Sequence, residues 1–426
     1  MDTRVTAAEI YRKMLEGVVS SPTEESKASP QEKAFIKRLV LTALRRQEFL
    51  KKVINGYSSK PLPQKLTPAH LLVILGAVEI LYFSTPEYAV VSSYVNVAKQ
   101  TCGKYAGGFV NAVLRKICQN KQHIIPTTEP VFFPKSFRRI LQSDYTAGQI
   151  AAIEKSSLGE PPLDLSVKGS AADWAERLGG KLLPNGSVRL YAAGAVNTLS
   201  GYDEGQWWVQ DAASSLAVAA LGNVAGKKVL DLCAAPGGKT AQLLNAGAKV
   251  TALDISARRL QTMNENLCRL GFKTDKTICA DAVEFLKNTG DVFDVILLDA
   301  PCSATGTLRR HPEIVHTRGS KDIEQNAAVQ KKLLNAAAPR VACGGTLLYA
   351  VCSLSKTEGE KQILDFATSN PEFKIKPVDT ALITGQTQNI FDDMITPEGF
   401  LRCLPSYLAQ DGGLDGFFIA MLQKVK

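Results

Sequence analysis

The sequence predicts three domains: an all-α domain over residues 1–140, a small α+β linker domain over residues 141–220, and an α/β domain with a Rossmann-like, doubly wound parallel sheet over residues 221–426. The length of 426 residues exceeds what one compact core usually holds. Apolar residues recur with helical spacing in the first third of the chain, and short β-prone runs follow. From Lys227 onward, strands and helices alternate, which is typical of a parallel sheet.

The helical domain is predicted from two segments. Residues 33–50 place apolar side chains at three- and four-residue spacing, with Arg45 and Arg46 among the basic residues between them. This helix should present a basic face. The next segment, AHLLVILGAVEILYF, is apolar all round and follows Thr67-Pro68, a suitable helix start, so it predicts a central buried helix.

The other two domains are predicted from their β-prone runs. LDLSV and SVRLYAA, broken by Gly, Pro and Asn, indicate the linker domain. Near its end, Trp207 and Trp208 could stack on the bases of a nucleic acid, although core packing is the favoured interpretation because large aromatic side chains mostly pack. The strands of the α/β domain are KVLDL, KVTALDIS, KTICAD, DVILLDAPC and GTLLYAVCS.

Charge is distributed unevenly along the chain. The net charge is +9, and residues 1–140 contain 21 Lys and Arg against 10 Asp and Glu. Because Lys and Arg release counterions from phosphates, a basic domain joined to a nearly neutral one is typical of a nucleic-acid-binding domain attached to a catalytic domain. A well-solvated helical surface explains the same counts, and this alternative stays open.

Secretion, membrane insertion and metal binding are not expected. The N-terminus has no apolar core followed by a cleavage site, and no run approaches eighteen apolar residues. The nine cysteines are scattered and include no C-x-x-C pair, which argues against a disulfide framework and a structural zinc site. We expect a cytoplasmic protein with no bound metal and no stable protein partner.

A candidate cofactor site follows the first strand of the α/β domain. KVLDL runs into CAAPGGKT, where Gly237 and Gly238 permit a tight turn and close approach of a ligand. A phosphate loop needs glycine at position 233, which is cysteine, and G-x-G-x-x-G is absent. Asp254 ends the second strand and could bind both ribose hydroxyls, and Asp281 follows the third strand and could approach adenine. Each carboxylate could instead cap a helix, and this alternative stays open.

Two cysteines follow the fourth and fifth strands. DVILLD leads to Asp299 and Cys302, and GTLLYA leads to Cys352 at the same sheet edge. A single cysteine in an apolar strand is usually a core residue, but two at adjacent strand ends beside an acid indicate chemistry. Carbon C5 of a pyrimidine attacks a methyl sulfonium only after a thiolate has added at C6, and a base must then remove the C5 proton.

These motifs resemble those of the RNA cytosine-5 methyltransferases. The resemblance spans residues 228–423 and lies in VLDLCAAPGGKT, ALDIS, DAPCSATGTLRRHPE, GTLLYAVCSLSKTEGE and DGFFIAML. Residues 1–140 resemble the NusB-type helical domain, notably in KYAGGFVNAVLRKI. The pairing is similar to the bacterial Sun/Fmu (RsmB-type) 16S ribosomal RNA methyltransferase family and covers nearly the whole chain.

The resemblance implies S-adenosylmethionine as cofactor, Cys352 as nucleophile and Cys302 as the group that assists proton abstraction and product release. DNA cytosine methylases use a Pro-Cys cysteine as nucleophile, so Cys302 is the competing assignment. Asp299 is expected to recognise the base, Lys239 to approach the reacting centre, and Val351 replaces a common threonine. The implied cofactor contacts are Cys233, Ala234, Ala235, Pro236, Gly237, Gly238, Lys239, Asp254, Asp281 and Asp299.

The expected substrate is an unpaired or flipped-out cytosine of 16S ribosomal RNA, because C6 is shielded within a base stack. Candidate phosphate contacts are Arg45 and Arg46 on the basic helix, and Arg309 and Arg310 after the DAPC loop. A solvated loop is the alternative for the second pair and for His311. Methylation of tRNA or DNA is a rival, as is a non-catalytic RNA-binding or antitermination-like factor, which the cysteine pair and cofactor loop disfavour.

Overall fold

The computed structural model describes the chain except residues 1, 20–21, 23–27, 59, 64, 125–132, 192, 386–389 and 426. Its residues form two compact units, each built from several stretches of chain. The helical unit contains Met1–Gln142, Thr146–Leu158 and Leu308–Arg318. The α/β unit contains Ser143–Tyr145, Gly159–Thr307 and Gly319–Lys426. Among the described residues, no helix combines the length and apolar character needed to span a bilayer.

The helical unit packs around one helix, Pro68–Tyr82, that is buried over most of its length. Its first seven helices are α1 (Thr3–Leu15), α2 (Pro30–Tyr57), α3 (Pro68–Tyr82), α4 (Glu87–Cys102), α5 (Lys104–Ile124), α6 (Lys135–Gln142) and α7 (Ala147–Ser156). Ser29 and Glu32 form a capping box that starts α2, and the apolar surface of α3 is buried from Leu71 to Leu81. The predicted all-α character of this region is confirmed.

A small four-stranded sheet opens the α/β unit. Its strands are β1 (Leu163–Val167), β2 (Lys181–Leu182), β3 (Val188–Leu190) and β4 (Trp207–Val209), in the order β2-β3-β1-β4. Trp207 is fully buried, and its indole N–H donates to the Ser200 carbonyl at 2.9 Å. Trp208 is also buried, so both tryptophans pack in cores.

The two units divide the chain differently from the three predicted ranges. Helix α7 belongs to the helical unit, although it lies beyond residue 140. Glu154 on α7 explains this placement, because its carboxylate accepts the Phe133 backbone N–H at 2.9 Å and pairs with Arg138 of α6. The small sheet is grouped with the large one.

A larger sheet forms the centre of the α/β unit. Its strands are β5 (Lys228–Leu232), β6 (Lys249–Asp254), β7 (Lys276–Cys279), β8 (Phe293–Asp299), β9 (Val341–Val351), β10 (Phe373–Lys376), β11 (Leu401–Cys403) and β12 (Phe417–Lys424). The helices of the unit are α8 (Ala171–Arg177), α9 (Ala212–Ala219), α10 (Gly238–Asn245), α11 (Ala257–Arg269), α12 (Ala282–Asn288), α14 (Ser320–Ala337), α15 (Glu360–Ser369) and α16 (Ala381–Thr384). The strand order is β10-β12-β9-β8-β5-β6-β7, with β11 paired to β12.

The five strands predicted from the sequence are the parallel part of this sheet, which confirms the Rossmann-like α/β class. The sequence indicates that Arg402 and the run from Asp415 to Phe418 close the sheet, and Arg402 lies in β11 while Phe417 and Phe418 begin β12. It does not predict that β12, β10 and β11 form an antiparallel edge. Parallel pairing brings the carboxyl ends of β5, β6, β8 and β9 to one edge, where ligands of such sheets bind. Residues 232, 254, 299 and 351 therefore end their strands on the same side.

One short segment leaves the α/β unit and completes the helical unit. Leu308–Arg318 contains helix α13 (Ile314–Thr317), and a His316 ring nitrogen lies 3.1 Å from the Leu44 carbonyl oxygen of α2. Its other ring nitrogen lies 3.3 Å from the Gln47 amide. Burial lowers the pKa of His316 to about 4, so this imidazole is neutral near pH 7.

We expect Asp164→Asn to destabilise the α/β unit. Asp164 and Arg189 are fully buried and form a bidentate ion pair with two bonds of 2.7 Å. Breaking such a pair leaves a buried guanidinium uncompensated and costs about 3–5 kcal/mol of unfolding free energy. All three tryptophans, Trp174, Trp207 and Trp208, lie in this unit, so urea unfolding followed by their fluorescence measures the loss.

The matched control is Asp291→Asn, which removes the exposed ion pairs of Asp291 with Lys228 and Lys276 in the same unit. Exposed pairs contribute little because water screens them. Equal unfolding midpoints for the Asp164 variant and the wild type would show that the buried pair does not stabilise the unit.

Candidate active site

The loop after β5 turns sharply at a glycine. Gly237 has a φ of 99°, and a Cβ atom there would lie 2.5 Å from Cγ of Met263 on α11. The Ala234 N–H donates to the Leu253 carbonyl of β6 at 3.0 Å, which ties the loop to the neighbouring strand. Position 237 therefore requires glycine, and α10 starts directly after it.

Asp254 and Asp281 differ in their surroundings. Asp254 is buried, and its two carboxylate oxygens accept backbone N–H groups from Ser256 at 2.9 Å and Ala235 at 3.2 Å. A carboxylate has further lone pairs, so Asp254 can still accept ribose hydroxyls. The next side chain, Ile255, is 68% exposed and offers an apolar surface to an adenine ring. Asp281 is exposed and caps α12, as the alternative interpretation allowed.

Lys239 and Asp299 form an ion pair at the carboxyl edge of the sheet. The Lys239 Nζ atom lies 2.7 Å from Asp299 Oδ2 and 2.9 Å from the Ser214 hydroxyl. The same ammonium lies 4.9 Å from the centre of the Phe417 ring, a cation–π distance. Lys239 is largely buried, whereas a third of the Asp299 side chain remains exposed to receive a ligand.

The two predicted cysteines are in contact. Cys302 Sγ and Cys352 Sγ are 3.4 Å apart, and both cysteines are free and partly buried. The hydrogen bond to Cys352, together with burial, raises the pKa of the Cys302 thiol well above its ordinary value. Cys302 therefore keeps its proton, and this thiol can donate to the Cys352 sulfur.

A buried carboxylate connects the loops that carry the two thiols. Glu358 is fully buried, and its Oε2 atom accepts the hydroxyls of Ser303 and Ser353, each at 2.5 Å. Its Oε1 atom accepts the Ser303 backbone N–H at 2.8 Å and the Gln330 amide at 3.1 Å. We did not predict Glu358, although the SKTEGE run after Cys352 contained it and each cysteine precedes a serine.

Arg402 binds the backbone of the loop that follows Cys352. Its guanidinium donates to the Ser353 carbonyl at 2.5 Å and forms a bidentate pair with Glu360. The same group packs over the ring of Phe418 in β12 at 4.7 Å. The antiparallel strand β12 therefore contributes to the shape of the loop after Cys352.

The placement of Arg45 and Arg309 argues against the predicted phosphate contacts at these two residues. Arg45 is 6% exposed and donates to the Arg309 carbonyl at 2.9 Å, and Arg309 itself is 1% exposed. The physical reason is that Leu308–Arg318 packs within the helical unit and covers this part of α2. Arg46 and Arg310 remain partly exposed.

Asp231 is a buried residue of β5, the strand that leads into the cofactor loop. The Thr240 hydroxyl of α10 donates to Asp231 Oδ2 at 2.6 Å. Burial raises the pKa of Asp231 to about 7, far above the value of an exposed aspartate. Within the described ranges, no group of three or more His, Cys, Asp or Glu side chains is arranged to hold a metal ion.

The fold and the site together define a class of protein. The sheet is doubly wound, and a glycine turn follows its first parallel strand. A buried carboxylate ends the second parallel strand, and a partly exposed acid ends the fourth. This combination is that of the methyltransferases that use S-adenosylmethionine. The residues present fit that cofactor, because Asp254 suits the ribose and Ile255 suits the adenine.

Comparison with known proteins identifies the family. A family model described as 16S rRNA methyltransferase RsmB/F matches residues 218–423, and the NusB family model matches residues 1–119. The ribosomal RNA small subunit methyltransferase B of Citrobacter koseri is 34% identical over 95% of this chain and 93% of its own length. The protein of that name from Pasteurella multocida is 30% identical and covers 100% and 96%.

Solved structures agree on the fold. The crystal structure of PH0851 covers 100% of this chain and 99% of its own with a TM-score of 0.74 at 22% identity. A methyltransferase homolog protein from Pyrococcus horikoshii covers 68% of this chain and 99% of its own, with a TM-score of 0.54 and 26% identity. The chain belongs to the 16S rRNA methyltransferase RsmB/F family, which confirms the predicted resemblance.

We expect Asp231→Asn to change how stability depends on pH. Because the folded pKa of Asp231 is raised to about 7, the folded protein holds a proton that the unfolded chain releases near pH 4. Stability conferred by the protonated acid is therefore lost as pH rises from about 4 to 7, by an amount on the order of 4 kcal/mol. Urea unfolding at pH 5 and pH 8 should show a smaller difference in the variant. If the difference in unfolding free energy between pH 5 and pH 8 is the same in Asp231→Asn and the wild type, a group other than Asp231 causes the pH dependence.

Proposed function

We propose that this protein methylates carbon C5 of a cytosine in 16S ribosomal RNA through a covalent bond between Cys352 and C6 of the base. The observation that carries this proposal is the contact between the two thiols, 3.4 Å apart, at the strand ends beside Asp299. The substrate follows from the names of the relatives, which are small subunit ribosomal RNA methyltransferases. A cytoplasmic location follows from the same substrate.

The raised pKa of the Cys302 thiol supports different roles for the two sulfurs. With Cys302 protonated, the Cys352 thiolate adds to C6 and the electron pair of the C5–C6 bond makes C5 nucleophilic. After methylation, Cys352 is a neutral thioether, so the interaction that chiefly raises the pKa of Cys302 is lost. Cys302 can then lose its proton to solvent, and the resulting thiolate removes the proton from C5. The electrons of the C5–H bond re-form the C5–C6 double bond, the C6–sulfur bond breaks, and Cys352 leaves as a thiolate.

Asp299 and Lys239 are the proposed base-recognition pair. The Asp299 carboxylate, 2.7 Å from the Lys239 ammonium, presents oxygen atoms that accept hydrogen bonds. Such a group accepts the exocyclic amine of cytosine and disfavours uracil, which presents a carbonyl oxygen there. Ser214 holds the lysine in place through its hydroxyl at 2.9 Å.

The cofactor would be held by residues at or after the carboxyl ends of β5, β6, β7 and β8. When bound, S-adenosylmethionine supplies an electrophilic methyl group. The proposed contacts are the loop from Cys233 to Lys239, the carboxylates of Asp254 and Asp299, and Asp281, whose side chain is exposed. Burial raises the pKa of Cys233 to about 12, so its thiol stays protonated and is not a competing nucleophile.

We expect Cys352→Ala to abolish methyl transfer and Cys302→Ala to accumulate a protein–RNA adduct. Without Cys352 no bond to C6 forms, whereas without Cys302 the bond forms but the C5 proton is not removed. The measurement is transfer from labelled S-adenosylmethionine to unmodified 16S ribosomal RNA, with adducts resolved on denaturing gels. Cys403→Ala, at a buried cysteine of β11, is the control.

The reverse pattern, adduct in Cys352→Ala and none in Cys302→Ala, would make Cys302 the nucleophile. Transfer to tRNA or DNA but not to 16S ribosomal RNA would reject the proposed substrate.

We expect Arg46→Glu to weaken RNA binding without changing cofactor affinity. Arg46 is partly exposed on α2, and its guanidinium lies 5.2 Å from the centre of the Tyr82 ring. The exposed part of this cation can contact a phosphate. Losing one phosphate contact should lower the slope of log affinity against log salt by about 1. Lys249→Glu, an exposed residue at the start of β6, is the control. Identical salt slopes for Arg46→Glu and the wild type would remove Arg46 from the RNA surface.

A further inference from the structure

The carboxylate of Glu358 has an unusual set of partners. Its side chain is fully buried, yet its four hydrogen-bond donors among the described residues are all uncharged: two hydroxyls, one backbone N–H and one amide. A buried carboxylate without a cation is costly to desolvate unless its lone pairs are filled. Four donors fill the four acceptor positions of this group.

These donors come from the residues that follow the reacting thiols. Ser303 directly follows Cys302, and Ser353 directly follows Cys352. The two hydroxyl oxygens are 3.2 Å apart and both donate to the same carboxylate oxygen of Glu358. The loop after β8 and the loop after β9 are therefore joined through one atom.

Further bonds extend this link to the backbone of both loops. The Thr305 hydroxyl accepts the Leu354 N–H at 2.9 Å, and the Gly306 N–H donates to the Cys352 carbonyl at 3.0 Å. Gln330 of α14 donates to the Pro301 carbonyl at 2.9 Å as well as to Glu358. The carboxylate thus lies at the centre of a network that includes residues on both sides of Cys302.

We propose that Glu358 is a positioning residue that sets the separation of the Cys302 and Cys352 sulfurs. The purpose of that separation rests on the proposed function: C5 and C6 are bonded neighbours, so one thiol must reach each atom at the same time. Reactive atoms must lie about 3–3.5 Å apart before a bond forms, and a misplacement of about 1 Å can cost about 100-fold in rate. Within the described part of the chain, the hydrogen bonds of the Glu358 carboxylate go to Ser303, Ser353 and Gln330, none of which belongs to the cofactor loop.

The geometry predicts different effects for two substitutions. Glu358→Ala removes every acceptor and leaves the serine hydroxyls and two N–H groups without their partner. Glu358→Gln keeps one oxygen for the N–H groups, and the serine hydroxyls can turn to accept from its NH₂ group. The glutamine variant should therefore retain part of the positioning, and the alanine variant should not.

The first test measures the thiol separation without RNA or cofactor. Diamide oxidises two thiols to a disulfide, with loss of both protons and reduction of the diamide, only when the sulfurs can approach bonding distance. We expect rapid formation of a Cys302–Cys352 disulfide in the wild type, a rate about tenfold lower in Glu358→Ala, and an intermediate rate in Glu358→Gln. Peptide mass mapping identifies the pair.

Glu154→Gln is the matched control for loss of a buried glutamate. Glu154 is also buried and accepts a backbone N–H, from Phe133 in the helical unit. Its disulfide rate should equal that of the wild type. If Glu358→Ala is not recovered as folded protein by tryptophan fluorescence, Gln330→Met replaces it, because that change removes one donor to Glu358 and the link to Pro301.

The second test separates catalysis from binding. We expect kcat for methyl transfer to fall about 100-fold in Glu358→Ala, with S-adenosylmethionine affinity unchanged and partial recovery in Glu358→Gln. Disulfide rates that are equal in Glu358→Ala and the wild type, or an equal loss in Glu154→Gln, would overturn the proposal. A wild-type protein that methylates no RNA but still shows the Glu358-dependent disulfide rate would reject the proposed function and leave the positioning role intact.

Discussion

The parallel pairing of β8 with β9 is the constraint on which the site depends. Asp299 lies opposite Ala350 in this register, so the loops that follow the two strands start side by side. A slip of one residue would turn every side chain of one strand to the other face of the sheet. The contact between the thiols of Cys302 and Cys352, and the shared carboxylate of Glu358, are possible only because the register is fixed by strands buried on both faces.

The parts of the fold that the sequence predicted are those encoded locally. Three of the short apolar runs are KVLDL, KVTALD and GTLLYAV. The glycine turn follows the first run, Asp254 ends the second and Cys352 follows the third. A parallel sheet brings such strand ends together. The antiparallel direction of β12 could not be predicted because its partner, β9, is more than sixty residues earlier in the chain. Glu358 was missed for a related reason: its donors Ser303 and Gln330 are 55 and 28 residues away.

Periodicity also has a limit that α2 illustrates. Helical spacing separates an apolar face from a basic face, but it cannot show which basic residues a distant segment will cover. Arg45 and Arg46 are neighbours with the same charge, yet Arg45 is buried against the backbone of Arg309, 264 residues later, and Arg46 is half-exposed. The Arg45 guanidinium, which donates to a buried carbonyl oxygen, stabilises the fold. The Arg46 guanidinium is partly exposed and can contact a charged ligand.

The segment Leu308–Arg318 has a consequence for the order in which the protein is made. Most of the helical unit lies before residue 159, but α13 and His316 of that unit are encoded much later. During synthesis the helices emerge first, and the position opposite Leu44 and Gln47 is filled only after residue 318 has left the ribosome. The helical unit therefore reaches its final packing only after strand β8 and the loop that contains Cys302 have been synthesised. The last step in folding of the helical unit thus follows synthesis of most of the parallel strands of the α/β unit.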